Sequence, residues 1–206
     1  MLDIRRSPEN PVVSPDPANE WEAEAAFNPS VAGDGKVIHL LYRALSREKE
    51  ISGAKLEVSS IGHAVSMDGI SFGKHTQIIK PEEEWEKFGC EDPRLTKFEG
   101  RYFIFYTALS EYPFAPGGIK IGLAITKDFK TFEKHPVTPF NAKAMMLFPE
   151  RVGGKIAAIL TAHTDSPPAK ICLALFDRVE DIWSPAYWEK WHKTIDQHAV
   201  SIPKGA

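Results

Sequence analysis

One pattern, written three times along the chain, limits what it can fold into. Asn28-Pro29-Ser30-Val31 leads to the turn Gly33-Asp34-Gly35-Lys36 and the apolar run Val37-Ile38-His39-Leu40-Leu41-Tyr42-Arg43. Glu91-Asp92-Pro93-Arg94-Leu95-Thr96 leads to Glu99-Gly100-Arg101 and then Tyr102 to Ala108. Phe148-Pro149-Glu150-Arg151-Val152 leads to Gly153-Gly154-Lys155 and then Ile156 to Ala162. A proline, a glycine turn and an apolar run in that order read as a β-hairpin. A second pattern of strand, polar turn and aromatic follows each copy, at His63–Phe72, Leu123–Phe132 and Leu173–Trp183.

About four strands per unit, at a period of roughly 50 to 65 residues, predict an all-β chain of the β-propeller type. A single unit cannot bury both of its faces, and rings close with about four to eight units. Three units therefore read either as the N-terminal part of a longer protein or as a fold whose open edges are covered, and self-association is expected. The domain reading is an extended lead-in over 1–26, rich in Pro, Glu and Asn, followed by a partial propeller over 27–206. Within the latter, Ser184 as N-cap and Pro185 as the first helical residue predict a short helix through His192, packed over the edge of a unit.

In propellers the innermost strand of each unit starts at the axial mouth, so the proline-led starts should converge. Asn28, Asp92, Arg94 and Glu150 are thereby brought to one place. Pro93 is expected to push Asp92 into extended backbone, with Asp92 and Arg94 on one strand face and Glu91 on the other. That pair could hold a polar ligand; the plainer reading is a surface ion pair closing a loop. His163, after the third hairpin, could face the same pocket or be structural.

Net charge is −3 with a pI near 6.2, and no segment is dominated by Lys or Arg, which argues against nucleic acid or an anionic membrane as partner. Two cysteines without metal-ligand spacing, no apolar leader and no long apolar run predict a soluble, cytoplasmic protein without a metal. No phosphate-binding loop, nucleophile elbow or dinucleotide fingerprint is present, so no cofactor is implied.

From Gly89 to Thr96 the sequence Gly-Cys-Glu-Asp-Pro-Arg-Leu-Thr resembles the hallmark of glycoside hydrolase family 130, the β-mannoside phosphorylases and β-mannosidases. Asn28-Pro29, Tyr42-Arg43, Ser66 to Phe72 and Leu147 to Glu150 resemble that family in the same order, over about residues 20–205. The resemblance implies a five-bladed propeller, with about three blades present. It implies Asp92 as general acid, in some members acting through a mannose hydroxyl, with Asn28, Arg43 and Arg94 lining the sugar or phosphate site. Glu91, Asn141, Glu150 and His163 complete the candidate binding residues.

The implied activity is inverting cleavage of β-mannosides, with inorganic phosphate as co-substrate, to mannose 1-phosphate. Phosphate is already an anionic nucleophile, so one positioned acid suffices, whereas water needs a second carboxylate about 6.5 to 9.5 Å away. Hydrolysis by water, or a non-catalytic carbohydrate-binding or assembly role, are the alternatives. Phosphorylases of the family carry a phosphate-binding arginine after the third hairpin, where this chain reads Leu160-Thr161-Ala162-His163-Thr164-Asp165.

Overall fold

The computed structural model describes residues 7–200. The first six residues of the expected lead-in, and the tail from 201, lie outside it. The described chain is mostly β-strand. The first unit is a meander of β1 (Ala25–Asp34), β2 (Val37–Ile51), β3 (Ala54–Ser66) and β4 (Thr76–Ile79). The second is β5 (Gly89–Phe98), β6 (Arg101–Leu109), β7 (Ile119–Thr126) and β8 (Glu133–Pro136). The third has β9 (Ala142–Leu147), β10 (Ile156–Ala162) and β11 (Lys170–Phe176).

Every pairing within a unit is antiparallel, as hairpin connections require. The first two units are joined into one sheet by a parallel bridge from Ser59 to Gly89, and the third is a separate sheet. Among the described residues the sheets do not close on themselves. The first strands of the units, β1, β5 and β9, are neighbours in space. The end of the sheets at which they begin is called the leading end below.

The expected helix forms as α1 (Pro185–Lys193), with the Ser184 hydroxyl accepting from the Tyr187 amide. It buries Trp188 and Trp191 against Phe140, and Trp188 also packs on Phe176. A four-residue helix α2 (Ile195–His198) follows, after which Ala199 bridges Cys172 on the free edge of β11. No helix among the described residues is long and apolar enough to cross a membrane.

A large core lies between the second and third units, around Phe103, Phe105, Leu123, Leu147, Leu160 and Trp188. A second, between the first two, gathers Leu41, Ile61, Cys90, Ile104 and Tyr106. Each of the first two units is also closed by the same device. A Glu-Trp-Glu turn, Glu20–Glu22 or Glu84–Glu86, drops its last glutamate into the fold, where Glu22 and Glu86 are fully buried.

Tyr42 Oη donates to Glu22 at 2.6 Å and Tyr106 Oη to Glu86 at 2.6 Å. His75 supports the first carboxylate, and Lys134 the second. A glycine on the third strand makes room for each ring, because a Cβ at Gly62 would sit 2.2 Å from Tyr42 and one at Gly122 2.7 Å from Tyr106. The segment before β1, read from sequence as an extended lead-in, thus supplies a structural carboxylate. A glutamate is buried at tolerable cost only when its carboxyl finds polar partners, as these do.

Candidate active site

Asn28, Asp92 and Ala144 sit at equivalent places, each inside a bulge near the start of the first strand of its unit. Their φ angles are +49°, +51° and +53°. Asp92 is therefore left-handed rather than extended as the following proline suggested. Aspartate and asparagine tolerate this region because their short side chains can bond locally, and the bulge supplies the extra residue that requires it. Such outliers cluster at functional sites.

The bulge also overturns the expected facing of side chains. Glu91 and Asp92 both turn to Arg43 on β2: its Nη2 lies 2.6 Å from Glu91 Oε1 and its Nη1 3.6 Å from Asp92 Oδ1. Arg43 Nε donates to Ser59 Oγ at 2.9 Å, Ser59 Oγ donates to Glu91 Oε1 at 3.2 Å, and the guanidinium stands over the Phe27 ring. Asn28 Nδ2 donates to Asp92 Oδ1 at 2.8 Å, joining the first two units. Among the described residues Oδ2 of Asp92 takes no hydrogen bond, and the Asp92 side chain is 30% exposed against 15% for Glu91. Burial raises the Glu91 pKa above the ordinary carboxylate range, with Arg43 opposing and Asp92 adding to the rise.

Arg94 lies beyond the bulge and donates to the carbonyl of Pro93, taking no part in this frame. The Asp92–Arg94 loop pair considered from sequence is replaced by Asp92–Arg43. Glu150 is not brought in either. It follows β9 at the opposite end of the sheet, where its neighbour Arg151 pairs with Glu99 in the β5–β6 turn at 2.8 Å. The true counterpart of Asn28-Pro29 and Asp92-Pro93 is Ala144-Met145, which has no proline to mark it.

That register puts Lys143 where the second unit has Glu91, a placement that sequence reasoning missed. Lys143 Nζ pairs with Asp165 at 2.9 Å, and its charge reaches Glu91. Asn141 Nδ2 donates to Asp165 Oδ2 at 2.9 Å and its Oδ1 accepts from the Asp165 amide. Burial acts to raise the Asp165 pKa, but the hydrogen bonds from Asn141, Lys143 and Thr164 hold it below the usual value. His163 is also at the leading end; its amide donates to Asn141 O, and its Nε2 lies 2.9 Å from that of His192.

Two cationic groups, Arg43 and Lys143, thus flank two carboxylates of different exposure. Among the described residues no group of three or more His, Cys, Asp or Glu is arranged to hold a metal ion. The set can give a proton from an exposed carboxyl and hold an anion beside it.

The family model described as beta-1,4-mannooligosaccharide phosphorylase matches residues 3–183. The chain is 33% identical over 167 residues to a 1,2-beta-oligomannan phosphorylase of Thermoanaerobacter sp. (strain X514), covering 80% of this chain and 55% of that protein. It is 30% identical to a beta-1,2-mannobiose phosphorylase of Listeria innocua serovar 6a, over 77% of this chain and 58% of the relative. The chain spans about half the length of the curated relatives it matches. Among solved structures, the Listeria innocua beta-1,2-mannobiose phosphorylase in complex with beta-1,2-mannobiose superposes with a TM-score of 0.70 at 22% identity, over 86% of this chain and 64% of that one. A glycosyl hydrolase from Bacteroides ovatus gives 0.68 at 22% identity, over 84% and 55%.

Proposed function

The chain belongs to glycoside hydrolase family 130, and from that membership together with the Arg43 frame we propose that it forms part of an inverting β-mannoside phosphorylase. In this reading the three units are blades of a five-bladed propeller, residues 27–206 form the partial propeller after a lead-in over 1–26, and the leading end is the axial mouth. The observation that carries the proposal is the partly exposed Asp92 carboxyl, gripped at Oδ1 by Asn28 from the neighbouring unit.

Asp92 acts as the general acid. Phosphate attacks the anomeric carbon from the face opposite the leaving group, the bond from that carbon to the glycosidic oxygen breaks, and the proton goes from Asp92 Oδ2 to the departing oxygen, directly or through a mannose hydroxyl. The products are mannose 1-phosphate and the shortened acceptor. Arg43 and Lys143 supply positive charge beside the attacking anion, as phosphate recognition requires. Lys143 offers a cation in the third unit, where the arginine after the hairpin is lacking. Asn141 and Asp165 hold Lys143 in place, and His163 borders the sugar site.

Glu91 is engaged by Arg43 and Ser59 and mostly buried, so it is poorly placed to activate a water. The names of the relatives favour a β-1,2 linkage. Incubating the protein with β-1,2-mannobiose, with and without phosphate, tests the reading. Phosphate-dependent mannose 1-phosphate supports it; free mannose at the same rate without phosphate points to hydrolysis. Binding of the disaccharide with no turnover points to a carbohydrate-binding role.

A further inference from the structure

A cavity lies away from the Arg43 frame, between the β2–β3 hairpin, the two Glu-Trp-Glu turns and the end of β4. Its volume is about 370 Å³, inside the range of about 300–1,000 Å³ usual for small-molecule sites. Three lysines from three different elements line it: Lys49 from β2, Lys80 after β4 and Lys87 after the second Glu-Trp-Glu turn. Glu20 is the carboxylate in the lining, so the cavity carries an excess of positive charge. Lys80 and Lys87 pair with Glu82 at 3.2 Å and Glu84 at 3.4 Å, both carboxylates well exposed. Surface pairs of this kind hold their partners weakly, which leaves both ammonium groups free to turn toward a stronger anion.

Apart from the lysines the lining mixes polar groups, Ser46, Ser60 and Gln77, with apolar ones, Ile51, Val58 and Trp21. Ser60 is buried, and its Oγ accepts from Gln77 Nε2 at 3.0 Å, which leaves the hydroxyl proton of Ser60 to give. Trp21 forms an apolar wall, its ring tilted over Tyr42. Ammonium groups and a hydroxyl donor beside an aromatic face fit a compact dianion carried on a ring, because the cations take the charge and the indole covers apolar C–H surface.

We propose that this cavity is a binding site for a phosphomonoester, specifically a phosphorylated sugar, separate from the site at Asp92. The proposal stands whether or not the reaction above is correct. It gives the protein a place to sense a sugar phosphate without occupying the mouth.

The test is calorimetric titration of the protein with mannose 1-phosphate, inorganic phosphate, sulfate and mannose. Mannose 1-phosphate is expected to bind, phosphate more weakly and mannose not at all. Lys49→Gln, Lys80→Gln and Lys87→Gln should each weaken binding by about tenfold, and Ser60→Ala by severalfold. These lysines lie at the surface, so the variants keep the fold, which circular dichroism checks. Mannose 1-phosphate is also the product expected at the mouth, so Lys143→Gln should weaken that event alone and leave the cavity event unchanged. Loss of binding in Lys143→Gln but not in the cavity variants overturns the inference and places the ligand in the mouth. Equal, weak binding of sulfate and phosphate with no preference for the sugar ester overturns it as an adventitious ion only, and no binding of any phosphate overturns it outright.

Discussion

Replacing Arg43 by alanine removes the partner of Glu91 at 2.6 Å, the cation 3.6 Å from Asp92 and the donor to Ser59 at 2.9 Å. Deleting one side of a buried ion pair costs about 3–5 kcal/mol, because the other charge is stranded. The Glu91 side chain is 15% exposed, and water screens part of that loss, so about 2–3 kcal/mol is expected near pH 8. The pH dependence identifies the source. Burial already lifts the Glu91 pKa, and Arg43 holds it back; without the guanidinium it rises further. A carboxyl whose folded pKa lies above its unfolded value binds more protons when folded. Its penalty is therefore greatest above the folded pKa and fades as pH falls below it.

Urea unfolding of the parent and Arg43→Ala at about pH 8 and about pH 5 should show the difference shrinking at the lower pH. Adding Glu91→Gln to Arg43→Ala should recover most of the loss at pH 8, because no charge is then stranded. An equal loss at both pH values, unrelieved by Glu91→Gln, would refute the reasoning. The contribution of Arg43 would then be its packing over Phe27, 4.8 Å away.

The buried Glu-Tyr devices and the histidine pair give further expectations. Tyr106→Phe takes the hydroxyl from Glu86 and should cost about 1.5–3 kcal/mol, read as a lower thermal midpoint. Gly122→Ala drives a Cβ to 2.7 Å from both Trp85 and Tyr106 and should cost about 1–3 kcal/mol by overpacking, measured by the same melt. His63, stacked on Phe129, has its pKa pushed down by burial and by His39 to about 4. Its stabilisation is present above the unfolded value of about 6.5 and is lost as pH falls toward 4. His63→Phe should flatten the acid limb of a stability–pH curve over that window.

The strands were legible because each hairpin announces itself with a glycine turn and an apolar run, and the tail helix because Ser184 and Pro185 are strong start signals. The bulges were not. They are set by the backbone, and the third occurrence, at Ala144, carries neither the Asn or Asp nor the proline of the other two. Taking Pro149 as the marker placed Glu150 at the wrong end and hid Lys143. The left-handed residue Asp92 likewise brings Glu91 and Asp92 to one partner, Arg43, where alternation along a regular strand puts them on opposite faces. Glu22 and Glu86 were not singled out; the signal that could have found them is the repeated Glu-Trp-Glu, each copy 20 residues before its tyrosine. Ser59 and Asp165 carry no local motif, and only the folded register brings them to the site.

Asp92→Asn tests most directly whether Asp92 delivers the proton to the leaving oxygen. The amide is nearly isosteric and can keep the contact with Asn28 through its own carbonyl oxygen, so fold and mannoside affinity should survive. Turnover of β-1,2-mannobiose with phosphate should fall by about 10²-fold or more, the scale for losing a positioned acid. An activated aryl β-mannoside, whose leaving group needs little protonation, should lose far less. Turnover of the natural disaccharide by Asp92→Asn at close to the parent rate, with folding intact, would contradict the account.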